Sequence, residues 1–246
     1  MLNQYSRTEL IMGKEAMEKI AASRIAVFGV GGVGGYVVEA LARCGVGTLD
    51  LIDHDTVSLT NLNRQIIALH PTIGKYKVDA AEERVHDIDP EIRVNKYRCF
   101  YLPEDKERFD FTAYDFIVDA IDTVTAKIDI ILEAQRLGVP VISSMGCGNR
   151  LDPTKIRIKD LYDTEGDPLA KIMRRELKKR GVKKLKVCCS EELPVKPSLQ
   201  MREEYLTDAS PQEKARRSLP GSTAFVPAAA GLAIASYVIR QITDSK

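Results

Sequence analysis

The most constraining stretch of the sequence is Arg24-Ile25-Ala26-Val27-Phe28, followed by Gly29-Val30-Gly31-Gly32-Val33-Gly34 and an apolar-faced segment from Tyr36 to Cys44. In order, these read as a buried strand, a tight glycine turn and a helix, the unit that opens a parallel sheet and presents free backbone N–H groups at its carboxyl edge. The alternation continues with strands at Thr48 to Ile52, Ile92 to Tyr97, Tyr114 to Asp119 and Pro140 to Ser144, and with helices at Lys75 to Val85 and Val124 to Leu137. The expected fold class is therefore α/β: a Rossmann-like, doubly wound, mostly parallel sheet.

After Gly148 the texture changes. Ile156 to Asp160 and Leu185 to Cys189 read as short strands around a helix from Pro168 to Lys179, extending the fold by a smaller mixed or antiparallel half. Pro194 to Pro220 is polar and proline-punctuated and reads as a mobile loop, and Phe225 to Thr243 closes the chain as a helix. The expected organisation is one unit, with a nucleotide-binding half at 1–148 and a half at 149–246 that faces substrate and a second subunit. From Ser218 to Ile239 there is no charge, which raises a membrane span. Pro220 to Thr223 dilute the start of that stretch and Pro227 and Gly231 interrupt the rest. A core or interface helix is expected, without stable membrane insertion, and membrane association is the minor alternative. Five cysteines with no C-x-x-C spacing, and a start without a basic leader and apolar run, fit reduced thiols and a cytoplasmic setting.

The glycines at 29, 31, 32 and 34 let the backbone turn sharply and approach a phosphate. Asp53, at the tip of the second strand, is placed either to accept ribose hydroxyls or to cap the turn that follows. A dinucleotide would need little more. This chain adds Asp53-His54-Asp55-Thr56-Val57-Ser58-Leu59-Thr60-Asn61-Leu62-Asn63-Arg64-Gln65 and then Lys77. Fixed cations and amides beyond the ribose acid suit a triphosphate about to be cleaved, which carries more charge. The candidate nucleotide contacts are Gly29, Gly31, Gly32, Gly34, Asp53, Asp55, Asn61, Arg64, Gln65 and Lys77, with Asp122 at the fourth strand tip as ligand of the Mg²⁺ that accompanies ATP.

That string, from Gly29 to Asp122 and spanning about the first 145 residues, resembles the adenylating domain of the E1-like enzymes. The resemblance implies coupling of a carboxylate to AMP, with Asp53 on ribose, Arg64, Gln65 and Lys77 on the phosphates and Asp122 on the metal. It also implies that Arg7, in Tyr5-Ser6-Arg7, reaches into the ATP site of a partner subunit in a homodimer; otherwise Arg7 is an ordinary basic residue near a terminus. Relatives that adenylate a carrier protein commonly bind zinc through two C-x-x-C pairs. Cys188-Cys189 is adjacent and has no second pair, so no zinc is expected.

The second half, with Leu151-Asp152-Pro153-Thr154, Asp167-Pro168-Leu169-Ala170, Ser190-Glu191-Glu192 and Gly221-Ser222-Thr223-Ala224-Phe225-Val226-Pro227, is similar to the tRNA threonylcarbamoyladenosine dehydratases. So is Asp119-Ala120-Ile121-Asp122-Thr123 with Lys127 one turn on. This resemblance covers nearly the whole chain and implies ATP-dependent cyclisation of a modified adenosine next to the anticodon. The free carboxylate would attack the α-phosphate and release pyrophosphate; a nitrogen of the same group would then close a ring and expel AMP. The ring-closing nucleophile belongs to the substrate, so no enzyme nucleophile is required.

Lys plus Arg total 36 against 35 acids, a formal charge of +1 that excludes an indiscriminate polyanion binder. Yet Lys171, Arg174, Arg175, Lys178, Lys179, Arg180, Lys183, Lys184 and Lys186 face one acid, Glu176, between residues 170 and 186. Such a run is either a solvated helix face or a set of tRNA phosphate contacts, and the resemblance favours tRNA as the partner. Cys188 and Cys189 are expected at a strand end or in a mobile segment, and Cys147 as a small core residue. Two other functions compete: an adenylyltransferase for a ubiquitin-like or sulfur-carrier protein, and a non-catalytic nucleotide-binding scaffold in sulfur trafficking. The combination of Arg7, Arg64, Lys77 and Asp122 favours catalysis. A monovalent cation and a cysteine desulfurase or sulfur-acceptor partner are left open.

Overall fold

The computed structural model describes residues 2–208 and 220–244. Its strands are β1 (Arg24–Phe28), β2 (Thr48–Ile52), β3 (Arg93–Tyr97), β4 (Phe116–Asp119), β5 (Val141–Ser144), β6 (Ile156–Asp160) and β7 (Lys186–Ser190). They form one sheet in the order β3-β2-β1-β4-β5-β7-β6. All neighbours are parallel except β6 and β7. The expected α/β class holds, and the second half continues the same sheet through the antiparallel edge strand β6. Strand order reverses between β1 and β4, the place where a doubly wound sheet opens a crevice at its carboxyl edge.

β1 explains why the run is apolar throughout. Ile25 and Val27 enter the core on one face, Ala26 and Phe28 on the other, and all four are fully buried. The first face is covered by α3 (Gly34–Cys44), α4 (Lys77–Ile88) and α8 (Phe225–Asp244), through residues such as Leu41, Val85 and Ile234. The second is covered by α5 (Val124–Leu137), α6 (Pro168–Lys179) and an aromatic cluster of Phe28, Tyr101, Phe109 and Phe111.

Two helices were not read from the sequence, α1 (Ser6–Met12) and α2 (Lys14–Ala22), and a third, α7 (Leu199–Asp208), lies within the expected 194–220 loop, of which 209–219 is outside the described residues. By length and composition α8 is the one helix among the described residues apolar enough to cross a membrane. Its Val226, Pro227, Ala230, Gly231, Ile234, Ala235, Val238 and Ile239 are buried. At Gly231 a side chain would lie 2.5 Å from Val33 O of the turn before α3, so the two helices pack backbone to backbone as a core pair.

Candidate active site

The glycine turn is built against the end of β4. Gly29 has φ 90°, and a Cβ there would come within 2.6 Å of Ala120 O. A side chain on Gly34 would collide with Gly29 O. These contacts bring the start of α3, the positive end of its dipole, to the crevice. Gly29→Ala is expected to cost about 1–3 kcal/mol of stability through backbone strain and to weaken ATP binding, measured by denaturant unfolding and calorimetry. Unchanged ATP affinity would remove the turn from the site.

Asp53 caps the turn that follows, one of the two tasks the sequence left open to it, and it also ties that turn to the glycine turn. Its Oδ2 accepts the Val30 N–H at 2.8 Å, tying the β2 tip to the glycine turn, and its Oδ1 accepts the Asp55 N–H at 2.8 Å, capping the next turn. A carboxylate offers about four acceptor positions, so capacity for ribose hydroxyls is left. A bridge between Thr56 and Tyr76 brings the chain back, so that Lys77 opens α4 beside Asp55. The buried Lys77 ammonium lies 2.7 Å from Asp55 Oδ2 and 3.9 Å from Asp53 Oδ2. An anion arriving here would exchange one anionic partner of Lys77 for another.

Arg64 donates to Thr60 O and Asn63 Oδ1, both at 2.9 Å, and its stem borders Gly32 alongside Pro227. Asn61 Oδ1 accepts the Ser58 N–H at 3.2 Å, so Asn61 shapes the short turn that carries Arg64. Gln65 is 7% exposed, its Nε2 faces Gly31, and its Oε1 is buried with no hydrogen-bond partner among the described residues. The side of Gln65 that faces the glycine cradle is the Nε2 donor, the polarity that suits an anion. Asn63 Nδ2 donates to Ser222 O at 2.9 Å, which links this motif to the segment entering α8.

The opposite wall follows β4 and β5. Asp122 is exposed beyond the β4 tip. Arg150, 2% exposed, donates to Gly146 O and Glu192 O and pairs with the buried Asp167 at 3.3 Å, while Asp167 accepts the Gly146 N–H and caps α6 at Ala170. Asn149, at φ 59°, exchanges two hydrogen bonds with Gly221, 2.8 Å and 2.7 Å long. The segment from Gly221 to Ser222 therefore bridges the two walls. Sequence reasoning missed Asn149, Arg150 and Asp167 as organisers. Asp167-Pro168 carried a signal, an N-cap acid before a proline at the first helical position.

The ThiF family model matches residues 5–246. The chain belongs to the ThiF family. Among relatives, the tRNA threonylcarbamoyladenosine dehydratase of Bacillus subtilis is 43% identical over 98% of this chain and 95% of its own length. A crystal structure of the Escherichia coli tRNA N6-threonylcarbamoyladenosine dehydratase in complex with ATP superimposes with a TM-score of 0.86 at 31% identity, covering 98% of this chain and 94% of that one. An Aspergillus clavatus adenylyltransferase and sulfurtransferase is 33% identical over 57% of this chain but only 29% of its own length.

In this ThiF-family chain the candidate site residues do not all converge. The glycines, Asp53, Asp55, Arg64, Gln65, Lys77 and Asp122 share the carboxyl edge of the sheet; the basic cluster does not. Asp167 ties the start of α6 to Gly146, just past the carboxyl end of β5, and the helix then runs about 18 Å toward the amino edge at 1.5 Å per residue. Lys178, Lys179 and Arg180 therefore sit at the far edge, as do Lys183, Lys184 and Lys186, which lead into β7; Lys171 in the first turn is nearest the crevice. Arg174 is turned inward, donating to the carbonyl of Thr164 at 2.6 Å and to its hydroxyl. Arg175, Lys179 and Arg180 converge on Glu176, and their hydrogen bonds, Arg180 foremost, hold its carboxyl down at about 2.

Cys188 and Cys189 lie in β7, fully or almost fully buried, rather than in a mobile segment. Alternation along the strand sends them to opposite faces, Cys188 toward Ala230 of α8 and Cys189 toward the α6 side, so they cannot chelate one ion together. Burial raises both thiols, and pushes that of Cys147 up to about 12. None of the three is a ready thiolate nucleophile.

Proposed function

We propose that this protein catalyses the ATP-dependent dehydration of N6-threonylcarbamoyladenosine in tRNA, by adenylating the threonylcarbamoyl carboxylate and expelling AMP as the ring closes. The observation that carries the reading is the end-to-end similarity to the Bacillus subtilis dehydratase. The assembly of Asp53, Arg64, Lys77 and Asp122 around one glycine turn supports it. Asp53 holds the ribose, Lys77 and Arg64 neutralise the phosphates, and Gln65 offers its amide over Gly31. The donor set also fits the Mg²⁺ of ATP: Asp122 is an exposed carboxylate two residues beyond Ala120, which packs on the glycine turn, and the bound ion would neutralise phosphate charge during attack. The protein's own part in the second step is to hold the acyl adenylate and the substrate nitrogen together away from water.

Arg7 completes the site from a partner subunit in this proposal. α1 buries none of its own residues, and Arg7, Leu10 and Ile11 fall on one face at i, i+3 and i+4, with Leu10 and Ile11 87% and 89% exposed. Tyr5 fastens this helix by donating to Asp89 at 2.5 Å. An apolar face beside a fixed cation suits a subunit contact in a homodimer. The far-edge cations engage tRNA phosphates while the anticodon loop reaches the crevice, so that the stem lies along α6. A cytoplasmic setting follows from a tRNA substrate.

Incubated with ATP, Mg²⁺ and tRNA carrying threonylcarbamoyladenosine, the protein is expected to yield a nucleoside lighter by one water in mass spectrometry after mild digestion. No mass change, with ATP–pyrophosphate exchange that responds instead to a small carrier protein, would establish the carrier-adenylating alternative.

A further inference from the structure

We propose that Lys127 is a positioning residue for adenylation, acting through the backbone on either side of Ile121 to fix Asp122 and the glycine turn together. The proposal rests on the assignment of Asp122 to the metal-bound phosphates.

Lys127 is fully buried in the first turn of α5. Its ammonium donates to Asp119 Oδ1 at 3.0 Å and to Ile121 O at 3.0 Å. Asp119, also fully buried at the β4 tip, accepts Ser143 Oγ at 2.6 Å through Oδ2 and the Ile121 N–H at 3.3 Å through Oδ1. The ion pair thus grips both peptide units flanking Ile121. One of them leads directly to Asp122. The other carries Ala120 O, the atom against which Gly29 must remain without a side chain. A shift of this short segment therefore moves the metal-binding carboxylate and the phosphate-binding turn at once.

Stability alone does not account for a lysine here. A cation in the first turn opposes the helix dipole, and a buried ion pair is often replaceable by neutral residues of similar size without loss of stability. What an apolar residue of similar size cannot do is hold Ile121 O and the Asp119 carboxylate with one donor group. Misplacing a reacting constellation by about 1 Å costs on the order of 100-fold in rate.

Lys127→Met alone leaves the Asp119 charge buried without a counter-charge and is expected to unfold more readily, so the deciding variant is Asp119→Asn combined with Lys127→Met. It is expected to keep a thermal midpoint close to that of the unaltered protein. Amide hydrogen exchange at Ile121 is expected to speed up, and kcat for AMP formation to fall about 100-fold. The Mg²⁺ concentration for half-maximal rate is expected to rise about tenfold, and the KM for ATP to rise with it, because the glycine turn packs on the same segment. Unaltered exchange, kcat and Mg²⁺ dependence in a folded double variant would overturn the proposal, as would a loss of kcat no larger than the loss of folded protein. Asp122→Asn, measured in parallel, separates the two levels: if it leaves the Mg²⁺ dependence unchanged, the role of Asp122 falls and that of Lys127 with it.

Discussion

Equal mixtures of Arg7→Ala and Asp122→Asn subunits are expected to recover about one quarter of unaltered activity, although each variant alone loses about 10³-fold or more. The fraction follows from symmetry. Random exchange makes half of the dimers mixed. In a mixed dimer, the subunit with intact Asp122 receives intact Arg7 from its partner, while the other site lacks both. The large single-variant losses follow from the charge in the proposed site: Lys77 is shared with Asp55 and Asp53, so Lys77 and Arg64 would leave part of the charge developing on the phosphates to cations brought from outside. The exposed Arg7 face with Leu10 and Ile11 is the place from which one can be brought. If activity in the mixture stays at the sum of the separate variants after subunit exchange has been verified, Arg7 does not act in trans.

How much of this was legible in the sequence depended on whether the signal was local. The glycine turn, the strand tips at Asp53 and Asp119 and the helices over Val124–Leu137 and Pro168–Lys179 follow from short-range pattern, and the structure places them as read. α1 and α2 escaped because each is short; α1 buries no residue and α2 only Ile20, so neither offers a continuous apolar stripe. The links of Asn149 to Gly221 and of Asn63 to Ser222 escaped for another reason: they join positions about 70 or more residues apart, and nothing in either stretch announces the other. The sequence also showed Asp119 and Lys127 without their relation, which exists only once α5 folds back on the tip of β4. The basic run shows the same limit most sharply. Its composition was plain, but its distance from the crevice is a property of topology, set by the direction of α6 and the parallel placement of β7 beside β5.

That distance makes the second prediction selective. Lys178→Glu, Lys183→Glu and Lys184→Glu together are expected to weaken tRNA binding at least about 100-fold near physiological salt and to flatten the dependence of log affinity on log salt by about three, roughly one for each lost phosphate contact. ATP affinity is expected to stay unchanged, because these side chains stand at the amino edge while the residues proposed to hold the nucleotide stand at the carboxyl edge. The thermal midpoint is also expected to hold, since all three are exposed and the Glu176 cluster with Arg175, Lys179 and Arg180 is left intact. Arg174→Glu should behave differently: it breaks the bonds to Thr164 and should destabilise the fold of the second half rather than act on tRNA alone. In steady state the triple variant should raise KM for tRNA and leave kcat at saturating tRNA nearly intact, because distant phosphate contacts position the substrate without touching the reacting atoms. A triple variant with unaltered tRNA affinity would show that the stem does not lie along α6, and one that lost ATP binding would show that the two edges of the sheet are not independent.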